Sequence, residues 1–183
     1  MRLLLLLLLI LPVSASRADD SAWALWREGK AILMMRHTLA PGTGDPAGFV
    51  LEDCSTQRNL SNEGKQQAKR WGQLLRDKYS ADITVYSSQW CRCLDTARLM
   101  GLTPPTPLPA LNSFFAGRGD GDSQTQALLQ RFSSTQTAQP AVLVTHQVNF
   151  TALTGIFPRS GEAAILALPL TQPASVLARI NTP

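Results

Sequence analysis

The two histidines of the chain each follow a short apolar run. His37 comes after AILMMR and His146 comes after AVLVT, and the 183 residues contain no other histidine. Imidazole can act as a nucleophile or as a proton carrier near neutral pH. Because each apolar run is typical of a buried strand, both histidines are predicted to lie at strand ends.

Two arginines lie in comparable positions. Arg36 directly precedes His37, and Arg92 lies in YSSQWCRCLDTA (residues 86–97), where a predicted strand passes into a predicted helix. A guanidinium group binds phosphate through two parallel hydrogen bonds, and a helix N-terminus also attracts anions. These residue types therefore indicate a site for a phosphate group.

Alternating apolar and polar segments predict the elements that position these residues. Predicted strands cover residues 30–36, 83–88 and 141–146, followed by 162–169 and 174–180 as an antiparallel edge. Predicted helices cover residues 21–29, 60–79, 89–101, 123–135 and 148–156. This order predicts an α/β fold, a three-layer sandwich with a mostly parallel sheet flanked by helices.

Polar residues occupy the predicted carboxyl ends of three strands, which is where open α/β sheets bind their ligands. They are Arg36, His37, Ser87, Ser88, Thr145 and His146. We therefore expect these residues to share one rim of the sheet. Residues 19–183 are predicted to form a single domain, because no linker or repeat divides them.

Four segments in order resemble the histidine phosphatase superfamily, which has the phosphoglycerate mutase-like fold. LMMRHT, LSNEGKQQA, YSSQWCRCLDTA and VLVTHQ are similar to its motifs R-H-G, L-(S/T)-x-x-G-x-x-Q-A, S-S-x-x-x-R-x-x-x-T-A and V-x-H-G. The residues that fit the second and third motifs are Leu60, Ser61, Gly64, Gln67, Ala68, Ser87, Ser88, Arg92, Thr96 and Ala97.

The resemblance implies a histidine acid phosphatase-like phosphomonoester hydrolase. His37 would be the nucleophile that becomes phosphorylated, and Arg36, Arg92 and His146 would line the phosphate pocket. Water would then hydrolyse the phosphohistidine. No metal or other cofactor is expected, and none of the usual metal-ligand spacings is present.

The chain departs from the family motifs at two positions that follow the histidines. Thr38 and Gln147 stand where glycine is usual. Each is expected either to donate a hydrogen bond to phosphate or to narrow the pocket. Arg58 is expected to reach the phosphate or to bind the rest of the substrate, with a surface position in the loop as the alternative.

A general acid is not evident from the sequence. Many members of the family carry a glutamate after a proline-rich crossing, where this chain has Asn112, and an amide cannot protonate a leaving alkoxide. Asp120 and Asp53 are the candidate substitutes, with Glu52 and Asp122 as further possibilities. Without an acid, we expect substrates whose leaving group needs little help.

The N-terminal segment MRLLLLLLLILPVSASRA (residues 1–18) begins with a basic residue, Arg2, followed by an apolar block and then small residues, as secretory signals do. The apolar block is too short for a membrane span, which needs about 20 residues. Cleavage is predicted after Ala18, which would make the mature chain periplasmic or secreted. A retained anchor is the alternative.

The charge of the mature chain argues against nucleic acid as a partner. Loss of Arg2 and Arg17 reduces the basic residues from 17 to 15 against 13 acidic ones, and no cluster of Lys and Arg stands out. The expected partner is a small phosphorylated substrate. Exported members of the resembled family that act on phosphorylated lipopolysaccharide core sugars, the heptose phosphate phosphatases, suggest an envelope phosphosugar.

The three cysteines would meet an oxidising compartment after export. Cys91 and Cys93 lie too close in one predicted helix to pair comfortably, so Cys54 is predicted to bond to one of them. The sequence does not say which.

A non-catalytic protein that binds a phosphate ligand or an envelope partner on the same fold is the alternative function.

Overall fold

Six strands form one mixed sheet in the computed structural model, which describes residues 14–183. The strands are β1 (Ala31–Arg36), β2 (Thr84–Ser87), β3 (Thr106–Pro107), β4 (Ala141–Thr145), β5 (Ala163–Ala167) and β6 (Val176–Ile180). Their order is β3-β2-β4-β1-β5-β6. The first four are parallel, whereas β5 and β6 are antiparallel at one edge. This confirms the predicted fold class.

Five helices of the described residues cover the sheet. They are α1 (Ser14–Arg27), α2 (Asn62–Lys78), α3 (Cys91–Leu99), α4 (Gly121–Arg131) and α5 (Gln147–Thr154). None of them is long and apolar enough to cross a membrane. The predicted signal segment lies in part outside the described residues, and α1 runs through the predicted cleavage position after Ala18.

The central strands β1, β4 and β5 are buried on both faces, and the sheet separates the core into two layers. Leu33 and Met35 of β1 face the layer that contains Trp71 of α2. Ile32 and Met34 face the opposite layer, which contains Phe150 of α5. Because successive side chains of a strand alternate between faces, a continuous apolar run such as AILMM fills both layers at once.

Helix α4 begins earlier than its predicted start at residue 123. Asp120 caps it, since its Oδ1 accepts hydrogen bonds from the backbone amides of Asp122 and Ser123, each at 3.1 Å. An aspartate in this position satisfies amides that the first turn leaves unpaired. The segment predicted as a loop therefore ends at the cap.

Candidate active site

Three neighbouring parallel strands bring the sequence motifs together at their carboxyl ends. Strands β2, β4 and β1 are adjacent in the sheet. The amide of His37, just after β1, donates to the Thr145 carbonyl of β4 at 2.9 Å, and the amide of Ser88 donates to Val144 at 2.9 Å. The rings of His37 and His146 consequently lie 5.6 Å apart between centroids.

The hydrogen bonds of His37 define its tautomer. Its Nδ1 lies 2.8 Å from the carbonyl oxygen of Thr38. A carbonyl only accepts, so Nδ1 carries the proton and, in the neutral ring, Nε2 carries the lone pair. Arg92 Nε donates to that Nε2 at 3.2 Å. The nitrogen with the lone pair therefore faces a cation.

His146 has the opposite arrangement. Arg92 Nη2 lies 3.2 Å from its Nδ1, and because a guanidinium only donates, Nδ1 is the acceptor and Nε2 carries the proton. That proton is donated to Ser88 Oγ at 2.8 Å, and Ser88 in turn donates to Asn112 Oδ1 at 3.2 Å. A continuous chain of hydrogen bonds thus fixes the ring.

Both rings are neutral at pH 7. Burial, and then the positive charge of Arg92, hold the pKa of His37 and that of His146 well below the usual range. Each side chain is almost wholly buried. A neutral imidazole, which keeps a lone pair on one ring nitrogen, is the form that can attack phosphorus.

Arg92 connects the two histidines to a carboxylate. Besides its bonds to both rings, its Nη1 donates to Asp45 Oδ1 at 2.7 Å, and both side chains of this ion pair are at most 4% exposed. A buried arginine held by partners on every nitrogen has little rotational freedom left. The guanidinium plane is thereby fixed beside His37 Nε2.

Arg36 offers a donor that has no partner. Its Nη1 donates to the Pro158 carbonyl at 3.0 Å, while its buried Nε makes no hydrogen bond in the structure. Burial and the charge of Arg92 lower the pKa of the guanidinium. Because an unsatisfied buried donor is costly, Arg36 Nε is suited to an anionic ligand.

Arg58 lines the same space but also holds the loop around it. Its Nε donates to the Gly44 carbonyl at 2.8 Å and its Nη1 donates to that of Ala40. Burial, followed by the charge of Arg92, lowers its pKa to about 10. The prediction that Arg58 reaches the site is consistent with this position, and its loop-holding role was not foreseen.

The arginines and histidines line a cavity of about 440 Å³. Its charged residues are Arg36, Arg58, Arg92, Arg118 and Asp45. With both histidines neutral, four guanidinium groups and one carboxylate give the cavity a charge of +3. Phe115 and Phe157, which are 43% and 72% exposed, form part of its wall. The cavity is therefore an anion site bordered by aromatic rings.

Asp45 lines the cavity and pairs with Arg92, and the sequence analysis did not single it out. It lies in GTGDP, a segment that has no P-loop pattern, and its only signal is that it is the sole acidic residue between His37 and Glu52. Burial would raise the pKa of Asp45, but the hydrogen bond and charge of Arg92 hold it below the usual value. Among residues 14–183, it is the only carboxylate that lines the cavity.

The two residues that replace the family glycines differ in placement. Gln147 lines the cavity, and its Nε2 donates to Thr151 Oγ1 at 2.9 Å. Thr38 does not line it. Its hydroxyl lies 3.0 Å from Thr96 Oγ1, which corrects the expectation that Thr38 donates to phosphate, because the side chain is turned towards α3.

The two candidate acids, Asp120 and Asp53, are also corrected. Asp120 caps α4, and Asp53 caps the short 3₁₀ turn Cys54–Thr56 through the amide of Ser55 at 2.9 Å. Hydrogen bonds from Ser123 and Ser55, respectively, lower the pKa values of these exposed carboxyls. Neither residue lines the cavity, so neither can reach a substrate there.

Several motif residues support the backbone after His37 rather than the ligand. Ser61 Oγ donates to the Leu39 carbonyl at 3.3 Å, and Gln67 Oε1 accepts from the Leu39 amide at 2.9 Å. A side chain at Gly64 would place its Cβ 2.1 Å from the Leu39 carbonyl oxygen. The start of α2 therefore packs against Leu39 and fixes the exit of β1.

The structure pairs Cys54 with Cys91, whose Cα atoms are 5.7 Å apart. The bond joins the loop after β1 to the first residue of α3, directly before Arg92. Cys93 is free and buried, and burial raises its pKa to about 12. Its thiol is therefore unsuited to nucleophilic chemistry at neutral pH.

Within residues 14–183, no group of three or more histidine, cysteine, aspartate or glutamate side chains is arranged to hold a metal ion.

Comparison with known proteins supports a phosphatase family. The sequence profile of the histidine phosphatase superfamily (branch 1) matches residues 52–133. No curated protein sequence matches the chain significantly.

Three solved structures illustrate the shared fold. The protein histidine phosphatase SixA, solved with tungstate, is 16% identical with a TM-score of 0.57, over 83% of this chain and 97% of its own. Phosphoserine phosphatase from Entamoeba histolytica, solved with 3-phosphoglyceric acid, is 12% identical with a TM-score of 0.57, over 83% and 97%. An open reading frame product of Mycobacterium tuberculosis is 16% identical with a TM-score of 0.57, over 80% and 94%. The chain is therefore similar to the histidine phosphatase superfamily over residues 52–133 and shares its fold with these three structures.

Proposed function

We propose that the protein is a phosphatase that hydrolyses phosphomonoesters through a phosphohistidine on His37. One observation carries the proposal. The Thr38 carbonyl holds the Nδ1 proton of His37, so the Nε2 lone pair is presented beside Arg92 in a cavity of charge +3. This is the arrangement that nucleophilic attack on a bound phosphate requires.

The reaction then follows in two steps. Arg36 and Arg92 hold the phosphate oxygens and stabilise their charge, while His37 Nε2 attacks phosphorus and the bond to the leaving oxygen breaks. Water then attacks the phosphohistidine, and the phosphorus–nitrogen bond breaks to release inorganic phosphate. Each step is independent of metal ions in this proposal, since arginines supply the positive charge.

The protein is further proposed to be exported, with cleavage after Ala18, and to act on a small phosphosugar of the cell envelope. The signal-like residues 1–18 and the Cys54–Cys91 disulfide, which suits an oxidising compartment, support export. Exposed aromatic rings at the cavity, Phe115 and Phe157, offer apolar faces on which a sugar ring can pack. Phosphohistidine and phosphoserine are the competing substrates, as named for the structural neighbours.

A non-catalytic phosphate-binding protein is the second candidate. The position of Asn112 favours it, because this amide is held by Ser88 and Gln89 and offers no proton to a leaving group. Saturable binding of a phosphate ester, without turnover and without a labelled protein, would favour this function.

The test is hydrolysis of an activated aryl phosphate by the purified protein, with and without a metal chelator, beside a His37→Asn variant. We expect turnover that survives the chelator, a base-stable and acid-labile phosphoprotein, and loss of both in the variant. Wild-type turnover by the folded variant would refute the proposal. Sugar phosphates, phosphoserine and phosphohistidine are then compared by kcat/KM, and the mass of the protein from the periplasm tests cleavage after Ala18.

A further inference from the structure

Asp45 places a buried carboxylate in the wall of the cavity. Its carboxylate is 4% exposed and is the only one in the described part of the chain that lines the cavity. Burying a charge is costly unless it is paired, and its partner is Arg92, which also bonds His37 Nε2. A carboxylate joined through one guanidinium to the nucleophile is therefore part of the reaction site.

The loop after β1 holds Asp45 rigidly against this site. Gly44, directly before it, has a φ of +70°, which glycine adopts without the strain that other residues incur. Arg58 fixes the Gly44 carbonyl, Phe49 stacks on Trp90 with centroids 5.0 Å apart, and the Cys54–Cys91 disulfide ties the loop to α3. The carboxylate is thus positioned before any ligand binds.

The two oxygens of the carboxylate have different partners. Oδ1 accepts from Arg92 Nη1 at 2.7 Å and from the amide of Arg58 at 3.1 Å. Oδ2 accepts only from the neutral indole of Trp90, at 3.2 Å. Because a proton avoids the oxygen that faces a cation, Oδ2 is the oxygen that can carry one.

We propose that Asp45 is the general acid of the phosphatase, an inference that rests on the proposed function. As His37 Nε2 attacks phosphorus, the phosphorus–oxygen bond breaks and the proton on Asp45 Oδ2 passes to the leaving oxygen, which departs as an alcohol. In the second step the Asp45 carboxylate takes a proton from the attacking water. The phosphorus–nitrogen bond then breaks, its electron pair returns to Nε2, and the acid form of Asp45 is restored.

The substrate supplies the proton that the acid form needs. Asp45 is ionised while it is paired with Arg92, but a bound phosphate competes for the same guanidinium and adds negative charge beside the carboxylate. Both changes favour the protonated acid. A phosphomonoester that enters as its monoanion can hand its proton to Asp45, and no further reactant is required.

The test compares leaving groups. Rates of kcat/KM are measured for aryl phosphates of graded leaving-group pKa and for an alkyl phosphate, with the wild type and with Asp45→Asn. A general acid contributes about 10²- to 10⁴-fold when the leaving group is poor. We expect Asp45→Asn to lose that factor on the alkyl phosphate and to lose less than about 10-fold on the most activated aryl phosphate.

Two control variants distinguish the loss of the Asp45 carboxyl group from the loss of other interactions in the same loop. Asp53→Asn makes the same change at an exposed carboxylate of the same loop and should leave every rate unchanged. Asparagine at position 45 also loses the bond from the Trp90 indole, so Trp90→Phe, which removes that bond and keeps the carboxyl, should leave the dependence on the leaving group unchanged.

The outcomes are distinguishable from failure of the proposed function. An equal loss on all substrates would overturn the inference and leave Asp45 as a positioning residue for Arg92. No loss at all, or a wild type inactive on every alkyl phosphate, would also overturn it. Only a wild type without any phosphatase activity, or a folded His37→Asn variant with full activity, would refute the phosphatase itself.

Discussion

The carboxyl ends of β1 and β4 present the same residue type in opposite chemical states. His37 follows β1, and its Nδ1–H donates a hydrogen bond to the Thr38 carbonyl, so that Nε2 keeps a lone pair. His146 follows β4 and receives Arg92 at Nδ1, so that its Nε2 proton points to Ser88. One contact at Nδ1 decides which ring can attack and which can only support.

The comparison also explains why both rings must be buried. In water either histidine would be partly protonated near its ordinary pKa, and a protonated ring has no lone pair. Burial and the shared neighbour Arg92 lower the pKa of both. The two strand ends therefore share one electrostatic environment and differ only in hydrogen bonding.

Removal of the attacking ring has the largest expected effect. His37→Asn keeps a donor for the Thr38 carbonyl but has no nucleophile, so kcat should fall at least ~10³-fold. The labelled phosphoprotein should disappear, while thermal melting shows that the variant is folded. A folded variant that still accepts label would reverse the roles of the two strand ends.

Removal of the supporting ring should be less severe. His146→Asn leaves His37 and its lone pair in place, so the protein should still become phosphorylated, with kcat reduced about 10²-fold because Arg92 loses a partner that positions its charge. Rapid-quench labelling measures the first step directly. Absence of labelled protein in this variant would mean that His146 is not a supporting residue.

The hydrogen bond between His146 and Ser88 allows a test of whether the tautomer of His146 matters for the rate. Ser88→Ala removes the acceptor of the Nε2 proton, which frees the ring to change tautomer. Because Ser88 acts only by orienting His146, kcat should fall by about 10-fold. Ser87→Ala is the matched control, since that hydroxyl is also buried but donates only to the Ser88 carbonyl. Equal effects of the two variants on kcat would argue against a role for the tautomer.

The smallest expected effect is on the pH dependence of stability, and it tests whether both rings are neutral in the folded protein. Folding lowers the pKa of each histidine, so below pH 6.5 the unfolded state binds more protons than the folded state. The free energy of unfolding therefore decreases as the pH is lowered. The expected slope between pH 6.5 and 5 is about 1 kcal/mol per pH unit for each histidine. Urea unfolding of the wild type, His37→Asn and His146→Asn measures it. If neither variant reduces the slope, the rings do not stay neutral in the folded protein.

Many of the strands and helices that position the site could be predicted, because the sequence patterns that indicate them are local. Strands β1 and β4 follow from continuous apolar runs. Ser61, a residue of the second motif, caps α2, because its Oγ accepts the Gly64 amide at 3.0 Å. The parallel arrangement follows from the alternation of strands and helices. Arg36, His37, Arg92 and His146 all line the cavity, as their positions at strand and helix ends indicated.

The predictions that failed concern side chains whose direction depends on distant partners. Thr38 turns to Thr96, which is 58 residues away. Asp120 and Asp53 cap the elements that follow them. The search for a substitute of the family glutamate considered them only as acids and not as caps.

The sequence by itself determined the types of the reacting groups and the strand ends that carry them, because apolar periodicity and chain direction are properties of short segments. Only the tertiary structure decided which nitrogen of each histidine is protonated, that Cys91 pairs with Cys54, and that Asp45 meets Arg92 across 47 positions. These outcomes depend on distances between residues far apart in the chain. Such distances are set when both faces of the sheet are packed, and no local pattern encodes them.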